Sequence, residues 1–128
     1  MRNKKVLVID DEFIVRVSCQ RVLETDGYTV VLSSNAIDGL KLIEDEGFDL
    51  VITDLIMPGM DGFELLKLVR DRWPSLKVVV MTGYGTTEAA DKSLELGADG
   101  FIKKPFLPEE LLSIAGKAGN DYDYYGEL

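Results

Sequence analysis

The stretch of sequence that decides the fold is DLVITDLIMPGMDG, at residues 49–62. Its apolar and β-branched run at residues 50–53 ends at Asp54, and a loop with one proline and two glycines follows. A short continuous run of this kind, without alternation of polar and apolar residues, predicts a strand of a parallel sheet that is covered on both faces. The proline and the glycines predict an unusual backbone path directly after the strand.

Similar apolar runs recur along the chain, and helical patterns separate them. The runs lie at residues 6–9, 28–32, 78–81 and 100–103, and the helical patterns lie at residues 13–24, 35–46, 61–72, 86–96 and 108–117. Gly27, Gly47 and Gly97 follow helical patterns, where left-handed residues commonly end a helix. Five strand–helix units with short connections predict an α/β fold, a single doubly wound sandwich with right-handed crossovers.

The end of the sequence departs from this alternation. Residues 120–128, NDYDYYGEL, are acidic, contain three tyrosines and lack basic residues. We therefore expect one domain over residues 1–118 and an acidic, tyrosine-rich C-terminal tail over residues 119–128. A disordered tail, a linker or an expression remnant is the first interpretation, and a peptide that binds a partner or its own domain is the alternative.

The composition argues against several functions. The formal net charge of −9 argues against direct nucleic-acid binding, which requires lysine and arginine. The absence of histidine excludes histidine-based catalysis, histidine-bound zinc and phosphohistidine on this chain. No run approaches the ~20 apolar residues that span a membrane, and the single cysteine, Cys19, is expected to be a packing residue. We therefore expect a cytoplasmic protein that does not bind a membrane.

Polar residues stand where the predicted strands end. Asp10 and Asp11 follow the first strand, Asp54 the third, Thr82 the fourth and Lys104 the fifth. Ligands of open parallel sheets bind beyond the carboxyl ends of the strands, so we expect these side chains to meet at one edge. Each residue alone has an ordinary structural explanation, such as a helix cap or a turn, and it is the convergence that favours a functional site.

The chemistry of this set indicates phosphoryl transfer with a divalent metal. Three carboxylates held close together repel one another unless they bind a proton or a cation. Oxygen ligands that leave room for water suit Mg²⁺ better than zinc or a caged Ca²⁺. Lys104 would add a positive charge and Thr82 a hydroxyl donor for phosphoryl oxygens. Asp54 is the candidate nucleophile, which would form an acyl phosphate.

Four stretches of the chain resemble the receiver domain of bacterial two-component response regulators. They are VLVIDDE at 6–12, DLVITDLIMPGMDG at 49–62, VVMTG at 79–83 and GADGFIKKPF at 97–106. The resemblance covers residues 4–118 and includes all five signature positions of the family. It implies a flavodoxin-like parallel sheet with strand order 2-1-3-4-5, in which the first and third strands are neighbours.

The resemblance implies a phosphoacceptor and a metal site. Asp54 would be the phosphoacceptor and would also contact Mg²⁺, for which Mn²⁺ can substitute. Asp11 would bind the metal directly, and Asp10 would do so directly or through water. The backbone carbonyl of Ile56 would supply a further ligand.

The resemblance also implies residues that bind and respond to the phosphoryl group. Thr82 and Lys104 would bind its oxygens, and Phe101 corresponds to the aromatic residue that turns inward on activation. Phe101 lacks the hydroxyl of the tyrosine that is common at this position. In the family, the side chains at the positions of Ile56 and Tyr84 border the path of the attacking water. The bulk of these two residues predicts slow hydrolysis of the acyl phosphate.

The implied function is a signalling switch that assists its own phosphorylation and dephosphorylation, and not a multiple-turnover enzyme. A histidine kinase or a histidine phosphotransfer protein would donate the phosphoryl group. The face formed by the fourth helix, fifth strand and fifth helix would control an output domain, a partner or a phosphorylation-dependent homodimer. Two alternatives are a phosphatase of the haloacid-dehalogenase type, whose nucleophile lies in an early Asp-x-Asp motif, and a pseudo-receiver that only binds partners.

Overall fold

Five strands alternate with five helices in a computed structural model that describes residues 4–83 and 86–118. The strands are β1 (Lys5–Ile9), β2 (Thr29–Ser33), β3 (Leu50–Asp54), β4 (Lys77–Thr82) and β5 (Gly100–Lys103). The helices are α1 (Phe13–Thr25), α2 (Ala36–Asp45), α3 (Gly62–Arg72), α4 (Thr87–Glu95) and α5 (Pro108–Ala118). The predicted alternation is confirmed, whereas Tyr84 and the predicted tail at 119–128 lie outside the described residues.

The strands form one parallel sheet in the order β2-β1-β3-β4-β5. Ile52 of the central strand β3 lies between Val8 of β1 and Val79 of β4. This is the expected flavodoxin-like order. Since the strands are parallel, their carboxyl ends share one edge of the sheet, and the strand order reverses beside β1 and β3, where such folds bind ligands.

Two apolar layers cover the two faces of the sheet. One layer packs α1 and α5 against the sheet and includes the fully buried Leu111. The other packs α2 and α3 and includes the fully buried Leu66. Successive strand residues face opposite sides, so a continuous apolar run such as residues 6–9 supplies both layers. Cys19 lies in the first layer, which confirms that it is a packing residue.

Three helices begin one residue later than predicted, because the residue predicted to start each helix is its cap. The side chains of Asn35, Asp61 and Thr86 accept hydrogen bonds from the N–H groups three residues further on. Tyr28 likewise precedes β2, since its N–H donates to the Leu23 carbonyl at the end of α1. No helix within residues 4–83 and 86–118 is long and apolar enough to cross a membrane.

One prediction about helix ends was wrong. Gly27 and Gly97 adopt the predicted left-handed conformation, with φ of 90° and 100°. Gly47 does not. Helix α2 ends at Asp45, and Glu46 leaves it in an extended conformation with φ of −129°, so the chain needs no left-handed residue at this helix end.

Candidate functional site

The carboxyl ends of four strands bring the predicted polar residues together. Asp54 ends β3 and Thr82 ends β4. Asp10 and Asp11 follow β1, and Lys104 follows β5. Ile9 of β1 pairs with Thr53 of β3, so the residues that follow them, Asp10 and Asp54, are neighbours at the edge of the sheet. The set consists of Asp10, Asp11, Asp54, Thr82 and Lys104.

The Lys104 ammonium group connects two of the carboxylates. Its Nζ donates to Asp10 Oδ2 at 2.8 Å and to Asp54 Oδ2 at 3.2 Å. Asp10 is completely buried and Asp54 is 5% exposed. Burying a carboxylate is unfavourable unless a partner compensates for its charge, and Lys104 supplies that compensation for both residues.

Burial and charge act in opposite directions on the pKa values at this site. Burial raises the pKa of Asp54 above its usual range, the Lys104 charge opposes this rise and the Asp10 charge adds to it. Burial lowers the pKa of Lys104, but the hydrogen bonds and charges of Asp10 and Asp54 outweigh burial and raise it overall. Lys104 is therefore a firmly protonated cation, and Asp54 is a weaker acid and a stronger base than an exposed aspartate.

Two residues that sequence reasoning missed support Asp10. The Glu12 N–H donates to Asp10 Oδ1 at 2.8 Å, and Arg16 Nη1 donates to the Asp10 carbonyl at 2.8 Å. The Glu12 carboxylate also lies 3.6 Å from Lys104 Nζ. Glu12 directly precedes α1 and Arg16 lies in its first turn, so polar residues at the start of the helix that follows Asp10 are the sequence signal that points to them.

The three carboxylates could hold a divalent cation. One oxygen from each of Asp10, Asp11 and Asp54 lies within 4.8 Å of the others. The Asp11 side chain is exposed to solvent. Both carboxylate oxygens of Asp10, in contrast, already accept hydrogen bonds from the protein. A set of oxygen donors beside an open cleft fits Mg²⁺, which prefers carboxylates and retains several waters.

Two glycines shape the loop after Asp54. Gly59 adopts φ of 81°, a conformation that favours glycine. Gly62 passes so close to the main chain that a Cβ atom on it would lie 2.4 Å from the Asp54 carbonyl oxygen. Its N–H donates to the Leu55 carbonyl at 2.8 Å. The predicted unusual backbone path is confirmed, and it places the start of α3 directly against the site.

An open cleft of about 710 Å³ lies over the carboxylates. The polar residues that line its wall include Asp11, Asp54, Thr82 and Lys104. The apolar part of this wall consists of Ile14, Val15, Ile56, Pro105 and Phe106. Apart from Ile56, this apolar part was not predicted, and it means that a ligand entering the cleft contacts both charged and apolar groups.

The other predicted residues lie around this cleft. Thr82 is fully buried at the end of β4. The Ile56 N–H donates to Asp54 Oδ1 at 3.4 Å, and its side chain is 54% exposed. Phe101 pairs with Val80 across β4 and β5 and packs, partly buried, against the layer of α2 and α3. Tyr84 lies outside the described residues.

Comparisons of the chain with family models, known sequences and solved structures all indicate the same protein family. The family model described as "Response regulator receiver domain" matches residues 6–115. Sporulation initiation phosphotransferase F of Bacillus subtilis is 35% identical over 111 residues, which cover 87% of this chain and 90% of that protein. Response regulator protein FleR of Pseudomonas aeruginosa is 37% identical over 113 residues, which cover 88% of this chain and 24% of that protein. The chain thus spans most of one relative and about a quarter of the other.

A solved structure has the same architecture. The crystal structure of a response regulator receiver domain protein (CheY-like) from Methanospirillum hungatei superposes on the chain with a TM-score of 0.88 at 34% sequence identity. The match covers 96% of this chain and 98% of that one. The similarity therefore extends over the sheet, the helices and the edge at which the carboxylates meet.

Proposed function

The chain belongs to the response regulator receiver domain family, the phosphoacceptor switch domains of two-component signalling, and from this membership we propose that Asp54 is the residue that is phosphorylated. The proposed domain covers residues 1–118. One observation carries the proposal: Lys104 joins the buried carboxylates of Asp10 and Asp54 beneath an open cleft. A cation in this position can pair with the oxygens of a phosphoryl group on either side chain.

The hydrogen bonds favour Asp54 over Asp10 as the acceptor. Both oxygens of Asp10 accept bonds of 2.8 Å, from Glu12 and Lys104. The two oxygens of Asp54 accept longer bonds, of 3.4 Å from the Ile56 N–H and 3.2 Å from Lys104, and Asp54 lines the cleft whereas Asp10 does not. A nucleophile needs a lone pair that is directed at the substrate rather than committed to the protein, and Asp54 meets this requirement better.

The acidic cluster is proposed to bind Mg²⁺, with Mn²⁺ able to replace it. Asp11 and Asp54 would bind the metal directly, together with the backbone carbonyl of Ile56. Asp10 would assist directly or through water, and its two occupied oxygens support a contact through water. When bound, the metal neutralises negative charge on the transferring phosphoryl group.

The proposed reaction is a direct phosphoryl transfer. A carboxylate oxygen of Asp54 attacks the phosphorus of a phosphohistidine on another protein, forming an O–P bond as the N–P bond breaks. The released imidazole takes up a proton from solvent. Lys104 and the Thr82 hydroxyl donate hydrogen bonds to the phosphoryl oxygens as their charge develops. In the later hydrolysis, water attacks the phosphorus, the bond from phosphorus to the Asp54 oxygen breaks, and inorganic phosphate and the free carboxylate are released.

The switch is proposed to proceed from Thr82 to Phe101. Thr82 ends β4, and Phe101 lies on the adjacent strand β5. Movement of the Thr82 hydroxyl towards the phosphoryl group would leave space into which the partly buried Phe101 ring turns. Such a movement shifts a pre-existing equilibrium between two conformations and changes the face formed by α4, β5 and α5. That face would bind an output domain, another protein or a second phosphorylated copy of the domain.

The lifetime of the phosphorylated state is proposed to be long. Ile56 is exposed at the mouth of the cleft, where its apolar side chain cannot position a water molecule by hydrogen bonding. Tyr84 is proposed from the sequence to border the same path and to hinder the attacking water by its bulk. Slow hydrolysis suits a domain that must remain active until it meets its partner.

The proposed donor is a histidine kinase or a histidine phosphotransfer protein. These 128 residues contain no histidine, so the phosphohistidine that donates the phosphoryl group lies outside them. The net charge of −9 supports a protein partner for the output rather than direct contact with nucleic acid.

The proposed function is tested by intact mass spectrometry after incubation with acetyl phosphate or phosphoramidate. We expect the mass to increase by one phosphoryl group when Mg²⁺ is present and to remain unchanged when the metal is chelated. The absence of any increase with either donor and with Mg²⁺ would instead indicate a domain that binds partners without being phosphorylated.

A further inference from the structure

A second cleft, of about 590 Å³, lies at the opposite end of the sheet from Asp54. We call it the amino-edge cleft, because its lining includes residues that precede or begin β1, β3 and β4. The lining residues that matter here are Lys4, Phe48, Asp49, Arg72, Trp73 and Lys77. None of them takes part in the proposed phosphorylation.

The charge of the amino-edge cleft is opposite to that of the whole chain. Three cations and one acid line it, although the chain carries a net charge of −9. The acid, Asp49, accepts a hydrogen bond of 2.8 Å from the Lys5 N–H through Oδ2. Lys77 Nζ is 4.0 Å from the nearest Asp99 oxygen, and Arg72 is exposed. A local positive field of this kind attracts carboxylates.

Aromatic rings accompany these cations. The Arg72 guanidinium lies 6.0 Å from the centre of the Trp73 ring, and Lys5 Nζ lies 4.9 Å from the centre of the Phe48 ring. Indole and guanidinium groups also offer flat faces on which a further ring can stack. The ligand that fits best is therefore a peptide that carries both carboxylates and aromatic side chains.

The chain itself contains such a peptide. Residues 119–128, GNDYDYYGEL, carry three acids and three tyrosines and no cation. Helix α5 starts next to the edge of the sheet that carries Asp54 and runs back to Ala118, so the helix ends at the edge where the amino-edge cleft lies. We propose that the amino-edge cleft binds the segment 119–128 of its own chain, which pairs acids with Arg72 and Lys77 and places tyrosine against Trp73.

The segment is long enough to reach the amino-edge cleft. Ala118 is buried in the layer of α1 and α5, which fixes the starting point, and the amino-edge cleft adjoins the other layer through Ile43 and Leu76. Ten extended residues span ~35 Å. A domain of this size has a radius of gyration of about 13 Å, so the segment can pass around the edge of the sheet.

Trp73 provides the test, because it is the only tryptophan of the chain. The full chain is compared with a variant in which the segment acids are neutralised, Asp121→Asn, Asp123→Asn and Glu127→Gln. We expect Trp73 emission of the variant to shift to longer wavelength, and high salt to shift the parent in the same direction. Lys77→Gln, which removes a cation of the amino-edge cleft, should reproduce the shift, whereas Lys67→Gln, which removes an exposed cation of α3 outside that cleft, should not.

Carbodiimide cross-linking gives a second, independent measurement on the unmodified chain. We expect an amide between an acid of segment 119–128 and Lys4 or Lys77, at a yield that does not change when the protein is diluted tenfold. Identical Trp73 emission in parent and triple variant, or a yield that falls on dilution because the acids belong to another copy, would overturn the proposal. Neither measurement uses a phosphoryl donor, so its result is independent of the proposed phosphorylation.

Discussion

Gly62 lies against the main chain of Asp54 so closely that a Cβ atom at position 62 would be 2.4 Å from the Asp54 carbonyl oxygen. The obstacle is backbone, which cannot turn away as the end of a flexible side chain can. The contact joins the first residue of α3 to the last residue of β3. A side chain at position 62 must therefore displace either the helix or the strand that carries the proposed phosphoacceptor.

Replacing Gly62 by alanine should disturb both stability and phosphorylation. We expect Gly62→Ala to lower the free energy of unfolding by roughly 1–3 kcal/mol, because the added methyl group overpacks a tight site. Phosphorylation by acetyl phosphate should slow, since the loop with Ile56 must shift. Urea denaturation and a phosphorylation time course measure the two effects.

Gly47 provides the matched control. A Cβ atom there would meet no heavy atom within 4 Å, and its φ is not in the left-handed region. Gly47→Ala should therefore leave stability unchanged or raise it by up to ~1 kcal/mol through the entropy of the unfolded chain. Equal losses in the two variants would show that the contact with Asp54 is not the cause.

Removing the Lys104 charge should make the stability of the fold depend more strongly on bound metal. In Lys104→Gln, two buried carboxylates lose their cationic partner, and we expect the free energy of unfolding without metal to fall by roughly 1.5–3 kcal/mol. Mg²⁺ should then raise the melting temperature of the variant more than that of the parent, because it replaces the missing charge.

The neighbouring Lys103 is the control for this experiment, because it is exposed on β5 and lies outside the site. Lys103→Gln should match the parent in stability and in its response to Mg²⁺. A Lys104→Gln protein that melts like the parent in both conditions would contradict the stabilising role of the ammonium group.

The exposed side chain of Ile56 should control how long the acyl phosphate survives. We expect Ile56→Asn to accelerate dephosphorylation, since an amide can position a water molecule for attack and an isoleucine cannot. Loss of the phosphoryl group is followed by intact mass after the donor is removed. Ile37→Asn, on the exposed face of α2, should leave the rate unchanged. If Ile56→Asn loses its phosphoryl group no faster than the parent, side chain 56 does not tune hydrolysis.

The Cys19 thiol should be inert while the protein is folded. Burial raises the pKa of Cys19 to about 12, with the Asp10 charge adding to this rise and the Lys104 charge opposing it. The thiolate is the reactive form, so a disulfide reagent at about pH 8 should label the protein only as it unfolds, when the pKa returns to ~8.5. Rapid labelling in native buffer, before any loss of helical circular dichroism, would rule out this buried state.

The sequence predicted the convergence of those candidate residues whose place at one edge follows from the direction of the parallel strands. Asp54 and Thr82 end apolar runs, and Asp10 and Lys104 follow them, so a parallel sheet must bring them to one edge. This inference needs only the direction of each strand. It does not depend on side-chain rotamers or on how the helices pack.

The missed residues depend on how helices are placed against the sheet. The bond from Arg16 to the Asp10 carbonyl and the exposure of Ile14 in the cleft both follow from the rotation of α1 about its own axis. Periodicity shows that a helix has an apolar face, but it does not give the distance from an arginine to a particular carbonyl. The Gly62 contact was missed for a similar reason, because a glycine signals permissive backbone and does not reveal its neighbour.

The central claim is that Asp54, and no other carboxylate of the cluster, carries the phosphoryl group. The most direct measurement is reduction of the phosphorylated protein with borohydride, which converts an acyl phosphate to an alcohol, followed by peptide mapping by mass spectrometry. We expect homoserine at position 54 alone and no phosphorylation of Asp54→Asn. Homoserine at position 10 or 11, or an Asp54→Asn protein that still gains a phosphoryl group, would contradict the claim.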